Sequence, residues 1–394
     1  MIGFDAAQAL LAEAVTPLDS ERVSLAAAAG RVLAEPVHAA LPSPRHDVSA
    51  MDGFAVRDVD SAPGARLRLT GDSYAGGSPP SAVGPGEAVR IFTGAPLPPG
   101  ADRVIVQENC ASADGFVTLA RSFGPSRHVR HRGSDFVAGE RLLPAGRRLD
   151  PQAMVALAGA DRADARVHRR PRFALIATGD ELVAPGSAAA NPQAIPESVS
   201  FGVAALAAAY GAEPVARYTG TDDLPALERI AAEALGPADL VVVTGGASVG
   251  ARDFAKAMFA PHGLDLLFAR VAIKPGKPVW LGRAEGRWVL GLPGNPTSAL
   301  VTARLFLAPL LLALQGQAPG EALEWIDLPL AAPLDPTGER ETFVRAAWTA
   351  AGLRPLTNQD SGAQAALAGA GWLVRCRAES PECRAGETVS ALRF

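Results

Sequence analysis

Hydrophobic and polar positions follow three successive rhythms along the 394-residue chain. Residues 1–20, "MIGFDAAQALLAEAVTPLDS", place apolar side chains at helical spacing until Thr16, Pro17 and Leu18 interrupt them, which predicts an amphipathic helix. From about residue 26 to 142 the pattern becomes short β-type runs cut by Pro and Gly, as in "GRVLAEPVHAALPSP", "AVRIFTGAPLPPGADRVIVQE" and "DGFVTLARSFG". This predicts a β-rich unit. "RRLDPQAMVALAGA" returns to helix, with Asp150 placed to cap and Pro151 at the first helical position.

Between about residues 171 and 316 strands and helices alternate. "RFALIATG", "AEPVARYTG", "ADLVVVTGG", "LLFARVAI", "PVWLG" and "RWVLGLPG" read as strands, and "ESVSFGVAALAAAYG" and "DDLPALERIAAEALG" as helices. That order predicts a mostly parallel, doubly wound sheet with its ligands at the carboxyl ends of the strands. From about residue 320, "IDLPLAAPL", "ETFVRAAW", "GWLVRCRA" and "ETVSALRF" predict a small all-β unit. The most apolar run, "ALVTARLFLAPLLLALQG", is broken by Arg304 and Pro309. It falls short of the ~20 clean residues of a membrane span and is expected to pack under a sheet.

Composition narrows the function classes. With 48% hydrophobic residues the chain can bury several cores, and ~100 to 200 residues per domain gives two to four of them. Thirty-seven basic against 41 acidic residues leave a formal charge of -4, so no global positive field holds nucleic acid or an anionic membrane. Cys110, Cys376 and Cys383 show neither a disulfide framework nor metal-ligand spacing, which fits a reducing cytoplasm. The amino terminus carries Asp5 and Glu13 and no basic start, unlike a secretory signal. The six histidines are scattered and read as structural or surface groups, and no G-x-S-x-G elbow points to a serine nucleophile.

The predicted strand ends carry the chemistry. "ATGDEL" supplies Thr178, Asp180 and Glu181; "TGGASVGARD" supplies Ser248 and Asp253; "IKPGKP" holds Lys274 and Lys277; "GLPGNPTS" offers Asn295 and Ser298 between prolines. If these loops converge on one rim, backbone N–H groups exposed by Gly245, Gly246 and Gly250 can approach a phosphate. Asp253 and Asp222 would repel that phosphate unless a divalent cation lay between them, which points to Mg2+. Lys274 and Lys277 supply fixed positive charge for a second anion. Each motif also has a plainer reading: Asp222 fits as a helix N-cap, Glu181 as a first-turn acid, "KPGKP" as an exposed turn and "PGNP" as a rigid loop. In the β-rich half, "DVSAMDGFAVR" embeds Asp52 among small residues, and "RIFTGAPLPPGAD" and "RHRGSDF" are polar clusters in loops.

"SAMDGFAV", "TGAPLPPGAD", "RGSD", "TGDEL", "GGASVGARD", "KPGKP" and "GLPGNP" occur in this order. Together they resemble the molybdopterin molybdenumtransferases, bacterial molybdenum-insertion enzymes related to the C-terminal domain of gephyrin. The resemblance runs from about residue 5 to 394. It implies a multidomain α/β plus β fold with four parts: a discontinuous N-terminal part (1–25, 41–50 and 143–170), a β-rich insert (26–40 and 51–142), a central molybdopterin-binding-type α/β domain (171–318) and a β-barrel-like C-terminal domain (319–394). It also implies a homodimer whose cleft is shared between subunits.

The reaction the resemblance implies takes adenylylated molybdopterin and molybdate and, with Mg2+, releases AMP and leaves molybdenum on the dithiolene. Carried over by position, Asp222 and Asp253 lie near Mg2+ and the pyrophosphate, and Gly246 and Ser248 line the nucleotide and pterin phosphates. Glu181 is an acid of the cleft. Asp180, Ser198, Pro293, Asn295 and Pro296 belong to the substrate site. Lys274, Lys277, Ser298, Arg345 of "RETFVR" and Ser361 of "NQDSGAQ" form the oxyanion cluster. Asp52, Thr93 and Asp135 are brought to the partner subunit's cleft. A transient contact with the adenylyltransferase that supplies the substrate is also implied.

The chain departs from the family's I-Y-D-S/T-N with Ile195, Pro196, Glu197, Ser198 and Val199, keeping the charge and losing an amide. Two other readings compete. A non-catalytic molybdopterin-binding scaffold on the same fold would show no magnesium-dependent AMP release. A nucleotide-dependent oxidoreductase lacks its G-x-G-x-x-G turn.

Overall fold

Leu240–Thr244 is buried at every position because it runs inside a six-stranded sheet in the computed structural model, which describes residues 1–78, 81–245 and 254–394. The strand order is Glu213–Gly220, Arg172–Thr178, Leu240–Thr244, Arg287–Leu292, Trp280–Ala284 and Asp265–Phe268. The first four are parallel and the last two are antiparallel, so the sheet is the expected parallel one with an antiparallel edge. Phe173, Leu175, Leu240, Val242 and Leu290 point to one face, against Val199–Ala209 and the apolar helix. Ala174, Ile176, Val241, Val243 and Val289 alternate with them and meet Leu224–Leu235 on the other. A strand covered on both faces has no polar alternation, hence its continuous apolar sequence.

The apolar run forms a helix over Pro296–Leu314 that is long and apolar enough to cross a membrane, yet 94% of its most apolar window is buried inside the protein. A π-type turn over Ala303–Leu307 precedes Pro309, which has no N–H to give to an α-helical ladder. Arg304 is buried with its charge satisfied by backbone: Nε donates to Arg393 O at 2.8 Å and Nη1 to Ala322 O at 2.6 Å.

The stretch "LLFARVAI" does not continue as one strand. Asp265–Phe268 closes the edge of the α/β sheet, whereas Ile273–Lys274 pairs in parallel with Glu341–Thr342 of the C-terminal sheet. That second sheet runs Ile273–Lys274, Glu341–Thr349, Trp372–Cys376, Thr388–Arg393 and Trp325–Pro329, with Gly352–Pro355 beside Glu341–Thr349. Ala331 N donates to Leu353 O at 2.7 Å, which brings the two ends of the sheet together and gives the barrel-like form.

The N-terminal helix is shorter than the pattern predicts, Phe4–Ala14, and is followed by a strand, Ser20–Ser24, paired with Asp164–His168. Phe4, Ala7 and Leu11 enter the main core, where Phe4 meets Phe306 and Phe343 at 5.8 and 5.0 Å. Arg375 lies between Asp5 and Glu341 and ties this helix to the C-terminal sheet. The β-rich segment forms a six-stranded sheet from Gly53–Val56 to Phe116–Leu119. The expected grouping of flanking segments is exchanged. Leu33 and Val37 of 26–40 pack with Leu143, Leu149 and Leu157, while Val48–Ser49 of 41–50 pairs with Val129–Arg130. Apolar side chains draw the first segment to the helix Pro151–Gly159.

Candidate active site

Two adjoining cavities lie where the α/β sheet meets the C-terminal sheet. The first, about 640 Å³, opens at the carboxyl ends of the parallel strands and is lined by Thr178, Glu181, Ser198, Asp222, Gly245 and Asn295 among others. Pro293 and Pro296 also line it. The rim predicted from the sequence is therefore formed at the ends of four adjacent strands. Gly245 occupies φ +95°, and a Cβ there would lie 2.4 Å from Thr178 O. Only glycine lets these two strand ends approach so closely.

Asp222 does not cap the helix that follows it. Asp223 does, accepting from Ala226 N at 3.0 Å. Asp222 lines the cavity instead, and its backbone N–H donates to Asp180 Oδ1 at 2.9 Å, which fixes the two loops relative to each other. Asp180 thereby acts on the loop, while the neighbouring Glu181 lines the cavity. Gly246, Ser248 and Asp253 lie outside the described residues. Among the described residues no group of three or more His, Cys, Asp or Glu side chains is arranged to hold a metal ion.

The departure from the family pattern has a local explanation. Glu197 is buried; its carboxylate accepts from Ser200 N at 2.8 Å and Ser200 Oγ at 2.5 Å and pairs with Arg217 at 3.0 Å. Burial pushes its pKa up, but Ser200 and Arg217 outweigh it and hold the carboxyl below its ordinary value. The acid thus fastens the start of the helix Val199–Ala209. Ser198 stays on the cavity wall.

The second cavity, about 850 Å³, contains Lys274, Lys277, Ser298 and Ser361. Both lysines are exposed within it and Ser298 is buried. Gly276 between them sits at φ +104°, with no room for a Cβ because Thr302 Cγ2 would be 2.1 Å away. The lysines are thus presented from the C-terminal side of the junction, not from the rim of the α/β sheet. The two cavities share Pro278. They also share the loop 357–364: Asp360 and Ser361 face the lysines, and Gly362 and Gln364 face the first cavity. Asn295 Nδ2 donates to Ser361 Oγ at 3.0 Å and Thr297 N to Ser361 O at 3.0 Å, so this loop is pinned where the cavities adjoin.

Arg345 lines neither cavity. It is fully buried and donates to Thr297 Oγ1 at 3.0 Å and Asp360 O at 3.2 Å, behind the dividing loop. Burial without a carboxylate partner lowers its pKa, an effect that the charge of Asp360 partly offsets. Asp52, Thr93 and Asp135 also line neither cavity of their own chain. Asp52 accepts from Thr93 N at 2.7 Å and Thr93 Oγ1 at 2.8 Å, and these two bonds hold its carboxyl below the ordinary range. The sequence reading missed Pro278, Asp360 and Gln364, though the polar run "TNQDSGAQ" between two β segments marks a loop of unusual density in donors and acceptors.

Residues 2–160 match the family described as MoeA N-terminal region (domain I and II), and residues 174–313 match the one described as "Probable molybdopterin binding domain". The chain is 36% identical to the molybdopterin molybdenumtransferase of Nostoc sp. over 334 residues, 83% of this chain and 76% of the relative. It is also 36% identical to the one from Haemophilus influenzae, over 80% of this chain and 78% of the relative. A crystal structure of a molybdopterin biosynthesis MoeA protein from Pyrococcus horikoshii superposes with a TM-score of 0.83 at 28% identity, covering 100% of this chain and 99% of that one. These family matches and relatives, along most of its length, show that the chain belongs to the molybdopterin molybdenumtransferase family, transferases of molybdenum cofactor biosynthesis.

Proposed function

We propose that the protein inserts molybdenum from molybdate into adenylylated molybdopterin and releases AMP. The observation that carries this reading is the pair of adjoining cavities: one holds the acids Glu181 and Asp222 at strand ends, the other holds Lys274, Lys277 and Arg340 among the acids Asp335, Glu339 and Asp360. A substrate with a phosphoanhydride and a separate oxyanion needs both. Asp222, with Asp253, would hold Mg2+, which when bound draws charge from the phosphoanhydride. The chain's own groups do the positioning. Gly245, on the cavity wall, lets two strand ends pack together where the phosphate would bind. Lys274 and Lys277 bind molybdate by charge, with the Ser298 hydroxyl beside them. Arg345 acts from behind, keeping the loop that carries Ser361 in place.

In this reading the protein works as a homodimer in the cytoplasm, and Asp52, Thr93 and Asp135 complete the partner's cleft. Their place outside both cavities of their own chain favours that arrangement. The test is AMP release from adenylylated molybdopterin by the purified protein, with Mg2+ and molybdate each added or withheld. Release that needs both, and that Asp222→Asn abolishes while the fold is kept, is the expected result. Retained substrate with no AMP in any condition would instead mark a molybdopterin carrier.

A further inference from the structure

Thr178 ends the strand Arg172–Thr178 on the wall of the first cavity and is only 5% exposed, yet its Oγ1 has no hydrogen-bond partner. A buried hydroxyl left unpaired costs free energy, so such groups are rare and usually await a ligand or a water. A structural threonine would have been more stable as valine, which has the same shape and no hydroxyl to satisfy. The surroundings say what kind of ligand atom is missing. Gly245 and Gly294 lie against Thr178 and against each other: a Cβ on Gly245 would be 2.8 Å from Thr178 Oγ1, and a Cβ on Gly294 3.2 Å from Gly245 Cα. Three adjacent parallel strands thus end packed closely around one hydroxyl donor on the cavity wall, at the carboxyl ends where such a sheet takes phosphate ligands.

We infer that the Thr178 hydroxyl donates a hydrogen bond to a phosphate oxygen of the adenylylated substrate and is a substrate-binding residue of this site. The inference rests on the function proposed above and adds a donor that the family motif does not single out by charge. It makes an unusual pairing of effects. The hydroxyl weakens the empty protein and strengthens the complex, so its removal moves stability and affinity in opposite directions.

The experiment compares wild type, Thr178→Val and Thr178→Ser in two measurements: thermal unfolding without ligand, and calorimetric titration with adenylylated molybdopterin and with AMP, both without molybdate. Thr178→Val is expected to unfold at the same or a higher temperature than wild type and to bind adenylylated molybdopterin about tenfold or more weakly, the loss that follows one hydrogen bond to a charged group. Thr178→Ser should keep the affinity. If AMP shows the same loss, the contact is to the adenylyl phosphate; if only the full substrate shows it, the contact is to the pterin-side phosphate. Thr178→Val with wild-type affinity, or with lower stability that Ser restores, overturns the assignment. Failure of the underlying reading looks different: wild type and Thr178→Val would then both fail to release AMP while still differing in affinity.

Discussion

Asp239 lies at the amino end of the central strand, the opposite end from the cavities, and is 3% exposed among Arg169, Arg172 and Arg287. Its carboxylate accepts from both Arg169 nitrogens, at 2.5 and 2.7 Å, and from Arg172 N at 2.9 Å. Burial pushes the carboxyl up, but these bonds overcome it and bring the pKa to about 2, below its ordinary 3.8. A depressed carboxyl contributes its stability fully above the unfolded value and loses it as pH falls through 3.8 toward about 2. Asp239→Asn should therefore cost about 2 kcal/mol at pH 7, the linkage value of that shift, because the arginines it leaves behind are partly exposed and keep their hydration. Denaturant unfolding checks this. The gap to wild type should narrow below pH 3.8, while substrate affinity of the folded variant stays unchanged.

At the scale of elements, the turn 274–278 depends on Gly276, where positive φ and contact with Thr302 coincide. Gly276→Ala should lower the melting temperature and weaken molybdate binding together, because the added methyl group displaces the loop that presents both lysines. Thr302→Ser removes the methyl group in the way and should recover part of both losses in calorimetry and thermal unfolding; the residual deficit is the backbone strain, about 1 kcal/mol or more. Full recovery, or none, would contradict this division.

The alternation of elements in the α/β segment was legible in the sequence because its central strands bury both faces and Leu224–Leu235 shows its own cap and periodicity. Contacts between distant segments were not. Asp222 and Asp223 are neighbours that both suit a cap, and the helix start at Leu224, set by Leu227 and Ala231 packing on the sheet, decides for Asp223. "LLFARVAI" reads as one strand because nothing local reveals that Ile273–Lys274 pairs with Glu341–Thr342. Arg345 reads as an oxyanion ligand by its motif, and only the fold shows it behind the loop, bonded to Thr297 and Asp360. Lys274, Lys277, Glu181 and Asn295 were legible as site candidates because proline and glycine fix their loops.

For the molecule as a whole, the proposed sharing of the cleft between subunits makes a prediction that no single chain can satisfy. A variant Asp52→Asn and a variant carrying Lys274→Ala and Lys277→Ala should each be inactive alone. When the two are unfolded, mixed and refolded, half of the dimers are mixed and one of their two clefts has every group intact, so activity should return to about a quarter of wild type. Equal inactivity before and after mixing would place Asp52 in the same chain's cleft.

In the proposed reaction the adjoining cavities would place a phosphoanhydride beside molybdate with one loop between them, and insertion depends on both being filled at once. The most direct measurement follows AMP released from adenylylated molybdopterin in the presence of Mg2+ as molybdate is raised, for wild type and for Lys274→Ala with Lys277→Ala. Wild type should release AMP with saturable dependence on molybdate, and the double variant should need at least about tenfold more molybdate for the same rate, with substrate affinity unaltered. The same molybdate dependence in both proteins would contradict the assignment of the second cavity and with it the account of insertion.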